Sequence, residues 1–261
     1  MAGTLQIDRP VEGVLRLAIC NPCKRNALDQ EILDAIAAAL DALGDARCVV
    51  LTGSDGIFSS GYDIGAIPPD VFAVEAEKLV AHPLSAALEA LDRTEVPTVA
   101  ALCGPAIGGG LELALGCDLR IASPRVKLGM PPAKLGLVYS HTGMRRFLDA
   151  IGEPRTRELF LLGRYIDAPT ALSWGLVNYV VERDELDAAA LELATQLAAN
   201  APLATAGNKR VLRELLRSEA ALDPDVEREL LALREASFAS DDMREGVAAF
   251  AEKRLPSWKG R

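Results

Sequence analysis

Thr98-Val-Ala-Ala-Leu-Cys-Gly104, followed at once by Pro105-Ala-Ile-Gly-Gly-Gly-Leu-Glu-Leu113, is the stretch on which the fold turns. It reads as an apolar strand running into a glycine cluster and then into a helix. Glycine permits close backbone approach and φ/ψ values closed to other residues. A helix that opens inside such a cluster leaves its first N–H groups without partners in the helix, free to point at an anion. Two such groups converging on one oxygen form an oxyanion hole. Gly104 to Gly110 does not fit G-x-G-x-x-G, and no G-x-x-x-x-G-K-[ST] occurs, which argues against dinucleotide-binding and P-loop folds. Tight strand–helix packing by small residues is the alternative reading of the cluster.

Moving outward, a second glycine-containing segment, Phe58-Ser-Ser-Gly-Tyr-Asp-Ile64, follows the short apolar run Cys48–Gly53. Residues 13–19 alternate apolar and polar, as a half-buried strand does. Ile32, Leu33, Ile36, Leu40 and Leu43 follow helical spacing over 29–43. Residues 72–92 are helix-like but interrupted or delimited by Pro83. Residues 119–123 and 126–129 read as two more strands. Strands alternating with helices predict an α/β architecture with helices covering the sheet. From about residue 184 the pattern turns helical. Leu186, Ala190, Leu193 and Leu197 form one stripe, and Val226, Leu230 and Leu233 a second behind Asp223-Pro224. Ser240 caps a last helix carrying Met243, Val247 and Phe250. These patterns divide the chain into an α/β core over 1–183 and a helical region over 184–261. The stripes offer more apolar face than one helix layer can bury. That predicts packing on the core or on a neighbouring subunit, in a homotrimer or a homohexamer.

Composition narrows the function. The chain has 261 residues, 50% of them hydrophobic, enough for a sizeable core. A net charge of −9 argues against nucleic-acid binding, which calls for a basic patch, but leaves room for a local phosphate site. The five cysteines are an odd number, and Cys48, Cys103 and Cys117 sit in apolar runs. Free thiols in a reducing compartment fit better than a disulfide framework. Cys20 and Cys23 make a C-x-x-C with no second pair, so no metal is expected. With no apolar leader and no uncharged span long enough to cross a membrane, a cytoplasmic location is expected. Ser59, Ser60 and His82 invite comparison with a hydrolase triad, but there is no G-x-S-x-G elbow.

Taken together, the two glycine segments and their spacing resemble the crotonase (enoyl-CoA hydratase/isomerase) superfamily, and the resemblance runs over nearly the whole chain. Residues 104–123 resemble G-x-x-x-G-G-G-x-E-L-x-x-x-C-D-x-x-x-A, the most specific of the signatures. Residues 58–64 resemble F-x-x-G-x-D-[IL]. Residues 21–28 resemble N-x-P-x-x-x-N-A-L with one residue fewer. Residues 162–181 and 245–260 resemble the later glycine–valine segment and the C-terminal helix.

The resemblance implies a ββα-spiral core with a C-terminal trimerisation region. It also implies an oxyanion hole from the backbone N–H of Tyr62 and Gly109, with Glu112 as the catalytic carboxylate. Glu112 lies three residues beyond Gly109, one helical turn on, so hole and carboxylate can face one thioester. Its apolar flanks predict burial and a raised pKa, suited to acid–base work. For the substrate's coenzyme A the resemblance implies contacts from Lys24, Arg25, Ala27, Ser60, Asp63 and Ile64. Phe250 and Lys253 would reach it from an adjacent subunit. No cofactor beyond that coenzyme A is implied.

The chain also departs from the superfamily's pattern at a point that bears on the chemistry. Where two-glutamate hydratases carry a second glutamate, Gly129-Met-Pro-Pro-Ala133 has Pro132, which cannot transfer a proton. The turn that follows reads Val138-Tyr-Ser-His-Thr-Gly143, offering Tyr139 and His141 as replacement proton donors. Tyr139 resembles a tyrosine of methylmalonyl-CoA decarboxylases in the same superfamily. His141 is equally explained as a cap or a surface residue. Three readings stay open at this point: enoyl-CoA hydratase or isomerase, decarboxylase of a malonyl-type CoA, or acyl-CoA binder without chemistry.

Overall fold

The computed structural model describes residues 3–62, 83–135 and 139–217. Beyond these it describes 224, 225, 228, 229, 241, 242, 245, 249, 252, 254, 257 and 259–261. The side chains of Lys134, Leu135, His141 and Arg217 are excepted.

Six strands build the main sheet. Strands β1 (Thr4–Val11) and β2 (Val14–Cys20) form an antiparallel hairpin turned at Gly13, whose φ is 73°. Then β3 (Cys48–Gly53), β4 (Thr98–Leu102), β6 (Leu119–Ala122) and β9 (Tyr179–Val180) add in parallel, in the order β1-β2-β3-β4-β6-β9. A second sheet of three short strands, β5 (Ala106–Ile107), β7 (Leu128–Gly129) and β8 (Tyr165–Ile166), is ordered β5-β7-β8. Every residue of β4 is buried, as parallel strands covered on both faces require.

The period-2 alternation of the strands sorts the covering helices. Leu15, Leu17, Val49, Leu51, Ala100 and Leu102 face one way. They pack with Ile32, Leu33, Ile36 and Leu40 of α1 (Gln30–Asp41) and with Leu88 and Leu91 of α2 (Ser85–Arg93). Val14, Cys48, Val50, Val99, Ala101 and Ile121 face the other way, against Leu186, Ala190 and Ala194 of α6 (Leu186–Ala198). The stripe read at 186–197 is therefore taken up by the chain's own sheet, with Leu193 and Leu197 partly buried against it. The burial of Cys48 and Cys117 pushes both thiols up to about 12, and all five cysteines are free.

The remaining helices are α3 (Gly109–Leu115), α4 (His141–Leu162), α5 (Ala168–Trp174) and α7 (Pro202–Arg217). Side-chain caps start three of the helices. Asp29 accepts from Ile32 N at 3.0 Å, Ser140 from Gly143 N at 3.1 Å, and Asp167 from Thr170 N at 2.9 Å. Helix α4 breaks at Gly152 (φ 74°), two residues before Pro154. Helix α7 is anchored by Lys209, whose Nζ donates to Asp118 at 2.7 Å and to the Val96 carbonyl at 3.0 Å.

The sequence reading overextends some elements. The strand expected over 98–104 stops at Leu102, and that over 126–129 keeps only Leu128 and Gly129. Leu43 lies beyond the end of α1. Strand β1 was not expected, because its largely exposed residues show no apolar face. The stripes at 226–233 and 243–250, and residues 72–82, lie outside the described residues. No helix among the described residues is long and apolar enough to cross a membrane.

Candidate active site

Three loops are laced together at the carboxyl ends of the strands. Ser59 N donates to the Pro105 carbonyl at 3.0 Å, and Ile107 N to the Ser59 carbonyl at 3.0 Å. Leu28 N donates to the Gly61 carbonyl at 2.8 Å, and Ser60 N to the Arg25 carbonyl at 3.1 Å. Asn26, buried and left-handed at φ 55°, pins the assembly. Its amide donates to the carbonyls of Ser54 (2.9 Å) and Ile57 (2.7 Å), and its oxygen accepts from Asn21 N (2.8 Å). The loops after β3 and β4 touch backbone to backbone. A Cβ added at Gly104 would sit 1.8 Å from the Gly56 oxygen, and within the β3 loop itself one at Gly53 would sit 1.9 Å from the Ile57 oxygen.

Helix α3 grows out of this lacing. Gly108, at φ 54° and ψ −126°, is its N-cap and donates its own N–H to the Gly129 carbonyl at 2.9 Å. Gly109 opens the helix with no intrahelical acceptor for its N–H. Gly61 brings the two glycine segments together, since a Cβ there would lie 3.4 Å from the Gly109 nitrogen. The Tyr62 ring lies over Gly109, 3.0 Å and 3.1 Å from where a Cβ would be. Among the described residues, neither the Tyr62 nor the Gly109 N–H has a backbone acceptor. Residues 109–114 are all buried, so Glu112 is carried into the interior by a helix that has no solvent face there.

Glu112 is only 3% exposed, and its Oε2 accepts a short hydrogen bond from the Tyr139 hydroxyl. Burial raises the Glu112 pKa; the Tyr139 hydrogen bond and the positive charge of Arg146 act in the opposite sense. Burial also pushes the Tyr139 phenol well up, with the Glu112 charge adding to the shift, so the proton of the pair rests on the phenol. Arg146 is held by a two-pronged ion pair with Asp92, at 3.0 Å and 2.8 Å. The Tyr139 ring meets Phe160 edge-on at 5.5 Å. Gly143 makes the room for this pair. A Cβ there would fall 2.7 Å from Glu112 Oε1 and 2.7 Å from Tyr139 Cε1. Among the described residues the Tyr62 hydroxyl is buried with no hydrogen-bond partner of good geometry. It lies near Tyr139, but no well-formed hydrogen bond joins the two phenols. Pro132 sits buried at the start of a short 3-10 turn, Pro132–Leu135.

Of the residues singled out in the sequence, Tyr62, Gly109, Glu112 and Tyr139 are brought together. Lys24 and Arg25 are exposed on the neighbouring loop, where Ser60 Oγ donates to the Lys24 carbonyl at 3.2 Å and Ala27 is buried. Asp63, Ile64, His82, Phe250, Lys253 and the His141 side chain lie outside the described residues. The sequence reading passed over Asn26, Gly143 and the Arg146–Asp92 pair. Asn26 stands inside the quoted signature, but its left-handed backbone is invisible in one dimension.

A parallel-sheet α/β chain whose buried carboxylate rides one turn into a glycine-opened helix is the architecture of a well-populated enzyme class. The family profile for enoyl-CoA hydratase/isomerase matches residues 10–261. A probable enoyl-CoA hydratase of Mycobacterium leprae is 36% identical over 259 residues, covering 96% of this chain and 97% of that protein. The 2,3-dehydroadipyl-CoA hydratase of Escherichia coli is 33% identical, covering 95% and 96%. The crystal structure of an enoyl-CoA hydratase/isomerase family protein from Hyphomonas neptunium superposes with a TM-score of 0.87 at 32% identity, covering 98% of each chain. The chain belongs to the enoyl-CoA hydratase/isomerase family of the crotonase superfamily.

Proposed function

We propose that the protein is an enoyl-CoA hydratase, a lyase adding water across the 2,3-double bond of an acyl-CoA thioester. The observation that carries this reading is the Glu112–Tyr139 contact one helical turn beyond Gly109. The thioester oxygen lies between the N–H groups of Tyr62 and Gly109, which stabilise the charge that builds there. Ionised Glu112 takes a proton from water as the water oxygen bonds to Cβ and the π electrons move into the thioester enolate. Tyr139 then gives its phenolic proton to Cα. Glu112 returns a proton to Tyr139 across their hydrogen bond, so both groups end as they began. The same pair can move a proton between Cα and Cγ, which is double-bond isomerisation.

Coenzyme A enters as part of the substrate. Lys24 and Arg25 approach its phosphates as exposed positive charges. Ala27, Ser60, Asp63, Ile64, Phe250 and Lys253 supply further contacts. The exposed leucines of α7, Leu212, Leu215 and Leu216, suit a subunit interface in a homotrimer or a dimer of trimers. A cytoplasmic location goes with free thiols. The test is spectrophotometric. Crotonyl-CoA and longer 2-enoyl-CoAs should lose the enoyl-thioester absorbance on adding enzyme, and a flat trace across the series sinks the assignment.

Decarboxylation of a malonyl-type CoA is the second reading, favoured by Pro132 and Tyr139. Loss of CO₂ yields the enolate without a base, and Tyr139 protonates it. The buried Glu112 carboxylate repels the departing carboxylate, which is why hydration is preferred. Release of CO₂ from methylmalonyl-CoA or ethylmalonyl-CoA would reverse that order.

A further inference from the structure

We propose that the Tyr62 phenol, besides its backbone N–H, binds the oxygen attached at substrate Cβ: the incoming water before addition, the hydroxyl of the 3-hydroxyacyl thioester after it. The inference rests on the hydratase reading of the same site. A buried hydroxyl without a partner is uncommon, and calls for a group that arrives later to complete it. Among the described residues Tyr62 has such a hydroxyl, enclosed by protein, with the Tyr139 hydroxyl nearby but not in well-formed hydrogen-bond geometry. The ring crosses Gly109, where a Cβ would lie 3.0 Å from Cε2 and 3.1 Å from Cζ. The ring thus lies at the helix opening, and its hydroxyl lies near enough to Glu112 and Tyr139 for both to act on it.

The other groups there are already committed. The Tyr139 proton is given to Glu112 Oε2, and Arg146 is paired with Asp92. Glu112 Oε1 has no hydrogen-bond donor among the described residues, and it faces the small Gly143. An oxygen placed between Glu112 Oε1 and the Tyr62 hydroxyl satisfies both. It gives one proton to the carboxylate and a second hydrogen bond joins it to the phenol. Two-glutamate hydratases carry a second carboxylate that Pro132 replaces here; Tyr62 takes over its holding role. Burial, and after it the Glu112 charge, raise the Tyr62 phenol's pKa against a smaller opposing effect of Tyr139, so it remains a neutral donor and acceptor at physiological pH.

The experiment compares wild type with Tyr62→Phe, which keeps the ring and removes only the hydroxyl. Calorimetry is run with 3-hydroxybutyryl-CoA and with butyryl-CoA, which lacks the Cβ oxygen. Tyr62→Phe should weaken 3-hydroxybutyryl-CoA about tenfold and leave butyryl-CoA within about twofold, the effect of one buried hydrogen bond. On crotonyl-CoA, kcat should fall with KM little changed. Equal losses for both ligands, or none for the hydroxy ligand, overturn the proposal. A wild-type enzyme that never hydrates crotonyl-CoA defeats the functional reading instead, and the ligand comparison still decides what Tyr62 binds.

Discussion

Gly143→Ala sets helix propensity against the geometry of the candidate site. Position 143 lies in the first turn of α4 with an ordinary helical backbone, so alanine should stabilise the helix by about 1 kcal/mol at most. Its Cβ, however, would fall 2.7 Å from Glu112 Oε1, 2.7 Å from Tyr139 Cε1 and 2.9 Å from Ser140 Oγ. Ordinary contact begins near 3.4 Å, so the carboxylate and the ring must each withdraw by roughly 0.7 Å. Both are buried, and overpacking of this kind costs about 1–3 kcal/mol. The net change lies between none and a loss of about 2 kcal/mol, or a fall of a few degrees in Tm. The effect on rate is larger. Misplacing a catalytic group by about 1 Å costs on the order of a hundredfold, so kcat on a 2-enoyl-CoA should fall by about ten- to a hundredfold. Calorimetric melting and steady-state kinetics on the same preparation give both numbers. An alanine variant with a raised Tm and kcat within twofold of wild type would refute the argument that Gly143 exists to seat the Glu112–Tyr139 pair.

Glu112→Gln should abolish turnover by at least about a hundredfold, yet make the protein more stable above neutral pH. The folded-state pKa of Glu112 is raised, so between the unfolded and folded values the native state holds the extra proton and stability falls as pH rises. Glutamine removes that slope, and urea unfolding of both proteins from pH 4 to pH 8 measures it. Tyr139→Phe leaves Glu112 Oε2 without its donor; kcat should drop by about 10²–10⁴ and the alkaline-favouring limb of the pH–rate profile should move to higher pH. An unchanged profile would remove Tyr139 from the mechanism. Asn26→Ala strips partners from the Ser54 and Ile57 carbonyls and from the Asn21 N–H, and puts at φ 55° a residue without the polar side chain that lets asparagine tolerate the left-handed region; a loss of about 3 kcal/mol in unfolding free energy is expected. Light scattering on the eluting peak should give about three or six times the monomer mass, and a monomer at micromolar concentration would defeat the assembly reading.

Much of the fold was legible because strands and helices announce themselves locally. Cys48–Gly53 and Thr98–Leu102 are mostly apolar, and 32, 33, 36 and 40 fall on one helix face. The edge strand β1 was not, since it buries little and so carries no apolar signal. The site was legible in its parts and not in its joins. Glycines 108–110 mark the helix opening, but nothing in the chain says that Tyr139, 27 residues on, hands its hydrogen bond to Glu112. That contact depends on α4 starting where Ser140 caps it and on a glycine at 143. The orphaned Tyr62 hydroxyl is likewise a property of packing, visible only once the ring is seen to cross Gly109.

The backbone contact at Gly53 and Gly104 limits how such a chain can diversify. Neither glycine can accept a side chain without moving the backbone of the loop that follows β3. Inheritance is therefore strict where β3 and β4 deliver their loops. Variation is better directed at the segment from Met130 to Tyr139, which holds Pro132 and Tyr139. A mutagenesis library aimed at new acyl-CoA chemistry belongs in that segment, with the laced loops left alone.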